Sequence, residues 1–179
     1  MTQIGSIYGE SLYTLAAEEG LSQVILSELT VLKEAFGAEP DYLQLLSAPN
    51  LSKEERCRIL DEAFAGKVHS YVLNFLKILT EKGYMRHFLD CCDAYRALYN
   101  RDNGILVVTA TSAVALQPEQ KDRLIRKFSD LTGKTIELVC KVDPACYGGI
   151  RLEYDGKSID GTVAHRLDSM RKLLKNTVL

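Results

Sequence analysis

The sequence is poor in the residues and motifs that most often carry catalysis or bind metals. Among 179 residues there are three histidines, five cysteines and no tryptophan. The cysteines include no C-x-x-C pair, and no histidine is followed by a second one three or four residues later, so the spacing typical of zinc sites is missing. A G-x-S-x-G elbow and a G-x-G-x-x-G loop are also missing. The sequence therefore predicts a binding or structural protein without catalytic residues, metal or cofactor, and with free thiols.

Long apolar runs and a basic N-terminus are missing too. The longest uncharged apolar-rich stretch near the middle, Ile105 to Leu116, has twelve residues, whereas a membrane span needs about 20. The first basic residue is Lys33, so the N-terminus lacks the basic segment of a signal peptide or a transit peptide. A net charge of -2 gives little general attraction to nucleic acid or anionic lipid. We therefore expect a cytosolic chain that does not span the membrane.

One tripeptide, Gly156-Lys157-Ser158, is similar to the end of a phosphate-binding P-loop. A P-loop needs a further glycine five residues before its second glycine, and it opens a helix. Arg151 occupies that position, and the surrounding residues predict a hairpin. We interpret the tripeptide as a chance match, and a small nucleotide-binding enzyme that uses Lys157 remains a minor alternative.

Apolar residues recur at helical spacing through the first hundred residues. Ser52 and Glu55 form the S-x-x-E pattern of a capping box. The six predicted helices carry their apolar residues within Ile4–Leu15, Ile25–Phe36, Leu43–Leu46, Ile59–Phe64, Val68–Leu79 and Phe88–Leu98. Because the links between them are short, residues 1–104 are predicted to form an antiparallel six-helix bundle.

After Gly104 the hydrophobic period changes from that of helices to that of strands. Strands are predicted at 105–111, 136–142, 150–154 and 157–160, with a helix starting at Pro118 and a final helix from Val163. The fold class is therefore α+β, with residues 105–179 forming a small C-terminal α/β domain with a mixed sheet.

The net charge also differs between the two parts of the chain. Residues 1–104 have 10 basic and 15 acidic residues, net -5, and residues 105–179 have 12 basic and 9 acidic residues, net +3.

Several short motifs occur in an order and spacing that are more specific than any one of them alone. They are Tyr8–Ala16, Leu46–Ser52, Asn74–Leu79, Thr132–Lys134, Val142–Pro144, Gly148-Gly149 and Ser158–Val163. Together they resemble the delta subunit family of the bacterial F-type ATP synthase, the counterpart of the mitochondrial oligomycin-sensitivity-conferring protein. The resemblance covers nearly the whole chain.

Two positions depart from the family pattern. Gly9 stands where the family usually has alanine, which costs about 0.5–1 kcal/mol in helix propensity and predicts a less rigid first helix. Cys146-Tyr147 stands where a Leu-Ile type pair is common. The family pattern therefore does not predict how the residues just before Gly148 pack.

The resemblance implies a stator connector that holds the catalytic head still while the central shaft rotates, so that rotation is coupled to proton-driven ATP synthesis. It implies that the N-terminal domain binds N-terminal segments of the alpha subunits and that the C-terminal domain binds the C-terminal ends of the b subunits. It also implies one copy per complex, peripheral attachment at the cytoplasmic face of the bacterial cell membrane, and no bound cofactor.

In the family, the first and fifth helices form the groove for the alpha segment. The matching residues here are Tyr8, Ser11, Leu12, Leu15, Phe75, Ile78 and Leu79. Ser11 and Ile78 lie off the main apolar stripes and are the most diagnostic, whereas some of the others can be core residues alone. For the b subunits, the hairpin and last helix offer Ile159, Arg166, Met170 and Leu174.

A different class of function remains as an alternative. The net charge of +3 in the C-terminal part and the basic last helix also fit an RNA-binding protein. That helix contains Arg166, Arg171, Lys172 and Lys175.

Overall fold

The computed structural model describes residues 2–39, 42 and 52–167. It divides into two compact units, unit 1 (Met1–Asn100) and unit 2 (Arg101–Leu179). The predicted boundary after Gly104 lies four residues beyond this division. The predicted third helix, with Leu43 and Leu46, lies outside the described residues.

Unit 1 is helical, and five of the six predicted helices are described in it. They are α1 (Gln3–Glu18), α2 (Ser22–Ala38), α3 (Lys53–Phe64), α4 (Ser70–Glu81) and α5 (Phe88–Asp102). The last of these continues two residues into unit 2. Thus α4 is the fifth predicted helix and α5 is the sixth. A 3-10 turn, Met85–His87, joins these two helices.

Side chains cap the starts of three of these helices. The Ser52 hydroxyl accepts the Glu55 backbone N–H, and the Glu55 carboxylate accepts the Ser52 N–H, so the predicted capping box is confirmed. The His69 ring accepts the Tyr71 N–H at the start of α4. At the start of α1, the Thr2 hydroxyl accepts the Gly5 N–H.

The core of unit 1 follows the predicted stripe on α2 but not on α1. Ile25, Leu29, Leu32 and Phe36 of α2 are all buried, as predicted. In α1, the buried residues are Gly5, Gly9, Leu12, Tyr13 and Ala16.

The helix is therefore rotated relative to the predicted stripe, which had Tyr8 and Leu15 inward. The cause is the close approach of α1 to α5. A Cβ at Gly9 would lie 2.6 Å from the Cys91 carbonyl oxygen and 2.7 Å from the Ala94 Cβ. Glycine at this position thus allows close packing, and the predicted loss of rigidity is not its main effect.

Unit 2 contains a four-stranded mixed sheet, as predicted. Its elements are β1 (Ile105–Ser112), α6 (Pro118–Thr132), β2 (Thr135–Val142), β3 (Ile150–Tyr154) and β4 (Lys157–Asp160), followed by helical residues 163–167. The strand order is β2-β1-β3-β4. The β1–β2 pair is parallel, and the β1–β3 and β3–β4 pairs are antiparallel.

One face of this sheet packs against α6. Phe128 is the buried residue of α6, and it forms a small core with Leu106 and Val108 of β1. Its ring also meets Tyr154 edge-on, with the centroids 5.2 Å apart. The predicted Asp155-Gly156 turn joins β3 to β4, and both residues have positive φ angles, 47° and 71°.

Candidate partner-binding surface

The outward side of α1 presents apolar side chains that the core does not use. Ile7 is 54% exposed, and Leu15, two turns later, is also exposed. Ser11 lies between them, and its hydroxyl donates to the Ile7 carbonyl at 2.8 Å. This intrahelical bond satisfies the hydroxyl, so the three residues, here called the α1 strip, present a largely apolar surface.

On α4, Ile78 is 45% exposed, whereas Phe75 and Leu79 are buried. Ile78 follows Phe75 by three residues, so the two lie on neighbouring positions of the same side of the helix. Another side of α4 faces α3. There the ammonium of Lys77 on α4 lies 2.7 Å from the carboxylate of Asp61 on α3. The remaining exposed side of α4 therefore has Ile78 at its centre.

An aromatic contact connects α1 with the segment that follows α4. The rings of Tyr8 and Tyr84 meet edge-on, with centroids 5.8 Å apart. The Tyr84 backbone N–H also donates to the Leu79 carbonyl at 2.7 Å. The C-terminal end of α4 is thereby placed beside α1.

The comparisons with known proteins identify the family. A family model described as the ATP synthase delta (OSCP) subunit matches residues 4–174. The chain belongs to this delta (OSCP) family. A Lactobacillus delbrueckii subsp. bulgaricus "ATP synthase subunit delta" is 35% identical over 171 residues, covering 93% of each chain. The Clostridioides difficile protein of the same name is 30% identical and covers 98% of this chain and 97% of its own.

A solved structure shares the fold. It is a chain of the Toxoplasma gondii mitochondrial ATP synthase hexamer, with a TM-score of 0.78 and 17% identity, covering 97% of this chain and 98% of that one. As a member of the delta (OSCP) family, the protein is the non-catalytic connector of the peripheral stalk of the F-type ATP synthase. The RNA-binding alternative receives no support from these comparisons.

The predicted alpha-binding residues of this family member fall into two groups. Ser11, Leu15 and Ile78 are exposed, and Tyr8 is half-buried at the edge of the same region. Leu12, Phe75 and Leu79 belong to the buried core of unit 1, so their direct role is to hold α1 and α4 in place.

Sequence reasoning missed Ile7, which is the more exposed of the two apolar residues in the α1 strip. An apolar residue four positions before Ser11, outside the predicted inward stripe, was the signal that could have identified it.

The predicted b-binding residues are only partly within the described residues. Ile159 on β4 is 51% exposed, and Arg166 is exposed in the helical segment that follows. Met170 and Leu174 lie outside the described residues, as do Arg171, Lys172 and Lys175 of the RNA-binding alternative.

Asp160 and Thr162 connect β4 to that helical segment. The Asp160 carboxylate accepts the Thr162 hydroxyl at 2.7 Å and the Thr162 N–H at 2.9 Å, and these bonds lower the pKa of Asp160. The Thr162 hydroxyl in turn accepts the His165 N–H. These bonds fix the direction in which the chain leaves the hairpin.

The described residues contain no cluster of three or more potential metal ligands. All five cysteines are free thiols, and burial raises the pKa of Cys91 to about 12, which makes this thiol a poor nucleophile.

Lys157 and Ser158 lie on β4 and Gly156 in the turn before it, so this tripeptide does not open a helix as a P-loop does. In the part of the chain that the structure describes, no helix is long and apolar enough to cross a membrane.

Proposed function

We propose that unit 1 binds an N-terminal segment of the alpha subunit as an amphipathic helix laid along α1 and α4. The observation that carries this proposal is the pair of exposed apolar surfaces, the α1 strip on α1 and Ile78 on α4. Tyr8 of α1 meets Tyr84, three residues beyond the end of α4, and so places that end beside α1. An amphipathic helix binds to such a surface through apolar residues spaced three and four apart.

The charge around the α1 strip indicates which kind of helix fits. Glu10 and Glu18 border the strip, and no lysine or arginine occurs before Lys33. A partner helix with basic residues beside its apolar stripe is therefore favoured over an acidic one.

We further propose that residues 105–179 bind the C-terminal ends of the b subunits, while residues 1–104 form the alpha-binding domain. The exposed Ile159 and Arg166 support this assignment. The family resemblance adds Met170 and Leu174, which lie outside the described residues. Through these contacts a single copy joins the head to the stalk at the cytoplasmic face of the bacterial cell membrane.

Calorimetric titration of the full chain with a synthetic peptide from the alpha N-terminus tests the first contact. Ile78→Asp is expected to weaken peptide binding about tenfold or more, because it places a charge in the apolar surface. Val31→Asp is the control, since Val31 is also an exposed β-branched apolar residue, 66% exposed against 45% for Ile78, but lies on α2. A folded wild-type chain that does not bind the peptide contradicts the proposal.

Co-purification tests whether the two units bind different partners. Tagged wild-type chain is expected to retain both alpha and b subunits. Ile78→Asp is expected to lose alpha and keep b, and Ile159→Asp is expected to lose b and keep alpha. If Ile159→Asp loses alpha and keeps b, the assignment of unit 2 is wrong.

A further inference from the structure

An exposed tyrosine occupies a strained backbone position at one end of the sheet of unit 2. Tyr147 is 78% exposed. Its φ angle is 58°, in the left-handed region that residues other than glycine and asparagine rarely adopt. Strain of this kind persists only where the surrounding structure holds it, and it is concentrated at functional sites. Packing within unit 2 does not account for the position of this ring.

The backbone around Tyr147 is held on both sides. The Tyr147 N–H donates to the Pro144 carbonyl at 3.1 Å, and the Gly148 carbonyl accepts the Val163 N–H at 3.0 Å. Cys146, immediately before the tyrosine, is buried. The loop is therefore anchored to unit 2, and it presents the ring of Tyr147 to the solvent on a fixed backbone.

Two further exposed apolar side chains lie next to this loop, on the helical segment 163–167. Val163 is 41% exposed, and Leu167, one turn later, is 58% exposed. A Cβ at Gly148 would lie 3.5 Å from the Val163 side chain, so the segment packs directly beside the loop. Tyr147, Val163 and Leu167 are here called the sheet-end surface. A tyrosine with apolar neighbours on a rigid backbone is typical of the residues that dominate binding energy at protein interfaces.

The charges beside the sheet-end surface indicate the chemistry of its partner. Arg166 is exposed in the same helical segment. Asp143 and Asp160 precede the loop and the segment, and their carboxylates accept backbone N–H or hydroxyl groups of the chain itself. Residues 105–179 also have a net charge of +3. An acidic partner is therefore favoured over a basic one.

We propose, as an extension of the b-binding function proposed above, that the sheet-end surface binds an acidic amphipathic helix from the C-terminal end of a b subunit. The ring of Tyr147 lies against the apolar side of that helix, whose apolar residues are spaced three and four apart. Arg166 pairs with a carboxylate at the edge of the same helix. Since the α1 strip favours a basic helix, the two units accept partners of opposite charge.

Calorimetric titration of the full chain with a synthetic peptide from the C-terminal end of b tests this surface. Leu167→Ala is expected to weaken binding on the order of tenfold. Leu131→Ala is the matched control, because Leu131 is also an exposed leucine on a helix of unit 2. It lies just before β2, whereas Tyr147 lies just before β3, and these two strands start at opposite ends of β1.

Tyr147→Gly separates binding from folding. Glycine adopts a φ angle of 58° without strain, so this variant is expected to unfold at the same urea concentration as wild type or at a higher one. It is nevertheless expected to bind the b peptide on the order of tenfold more weakly, because the ring is lost. A tyrosine with a purely structural role would instead give a lower unfolding midpoint.

Arg166→Glu tests the charge of the partner. This variant is expected to weaken binding of the b peptide, and the wild-type affinity is expected to fall as the salt concentration rises. Arg126→Glu makes the same change of charge on the outer side of α6. This control is expected to bind as wild type does.

Each result has a definite meaning. Wild-type affinity in Tyr147→Gly, or equal effects of Leu167→Ala and Leu131→Ala, overturns the sheet-end surface. If Ile159→Asp still abolishes binding in that case, unit 2 remains the b-binding unit and only this surface is wrong. Unchanged affinity in Arg166→Glu overturns the acidic character of the partner. A folded wild-type chain that does not bind the b peptide contradicts the proposed function itself.

Discussion

Gly5 and Gly9 show how single residues set the position of a whole helix. They are one helical turn apart on α1, and both are buried where the helix meets α5. A Cβ at Gly5 would lie 2.4 Å from the Asp90 Cβ, and one at Gly9 would meet the Cys91 backbone. Because glycine has no side chain here, α1 can approach α5 closely, and this approach directs Ile7, Ser11 and Leu15 outward.

Gly9→Ala is therefore expected to destabilise the protein by about 1–3 kcal/mol, because the added methyl overpacks the contact with α5. Gly37→Ala is the matched control, since Gly37 lies in α2 with nothing within 4 Å of an added Cβ. That variant is expected to gain up to about 1 kcal/mol from helix propensity. Urea unfolding of both variants checks this, and a stabilising Gly9→Ala would show that the close approach is not a constraint.

Asp90 on α5 forms hydrogen bonds to Thr2 at the start of α1. Its carboxylate accepts the Thr2 hydroxyl at 2.8 Å and the Thr2 N–H at 3.2 Å. These hydrogen bonds hold the pKa of Asp90 below its ordinary value of 3.8. Since the folded pKa is lowered, the stabilisation is present above pH 3.8 and is lost as pH falls through the folded pKa.

We accordingly expect Asp90→Asn to be less stable than wild type at neutral pH, with the difference disappearing in acid. Denaturant unfolding of both proteins over a pH series measures this difference. Amide hydrogen exchange in α1 identifies whether the first turn is the part that loosens. A stability difference that is the same at every pH contradicts the role of the Asp90 carboxylate.

At the scale of elements, the packing of α6 against the sheet depends mainly on one side chain. Phe128 is its buried residue, and it packs between Leu106, Val108 and Tyr154. The rest of the helix is strongly charged on its outer side, where Glu119, Arg123 and Lys127 lie. The attachment of α6 to the sheet therefore rests largely on this aromatic ring.

Phe128→Ala is expected to cost about 3–5 kcal/mol, in the range of large-to-small core substitutions. Leu131→Ala, three residues later on the same helix, is the control because Leu131 is 73% exposed. It is expected to change stability by less than about 0.5 kcal/mol. Urea unfolding gives the free energies, and amide exchange in β1 shows whether the sheet loses protection. Equal effects of the two substitutions would contradict this account of the helix.

At the scale of the whole molecule, the two units differ greatly in the core that their described residues form. Among residues 2–39, 42 and 52–167, the core cluster of unit 1 contains 17 buried residues, whereas the cluster under α6 in unit 2 contains three. Small domains with little buried apolar surface are only marginally stable by themselves. The difference predicts that the units contribute unequally to the stability of the chain.

Expressed separately, residues 1–104 are expected to unfold cooperatively, and residues 105–179 are expected to be much less stable. Urea titrations followed by circular dichroism measure both. Addition of a peptide from the C-terminal end of b is expected to stabilise residues 105–179, since a ligand that binds only the folded state stabilises it. A noncooperative transition of residues 1–104 would falsify the expectation for unit 1.

The sequence by itself determined the elements, because each depends on residues close together in the chain. Apolar periodicity indicated α2, α4 and α5 and the alternation of the strands. The capping box at Ser52 and the turn at Asp155-Gly156 are similarly local. The order of the short motifs was sufficient to indicate the family, since it samples nearly the whole chain.

Only the tertiary structure decided which side of α1 is outward. Leu12 and Leu15 belong to the same predicted apolar stripe, but the first is buried and the second is exposed, and periodicity alone could not separate them. The rotation of α1 depends on contacts with α5, some 85 residues away in sequence, and the contact between Gly148 and Val163 depends on the pairing of the strands between them. These features arise from packing between distant segments, which no local pattern records.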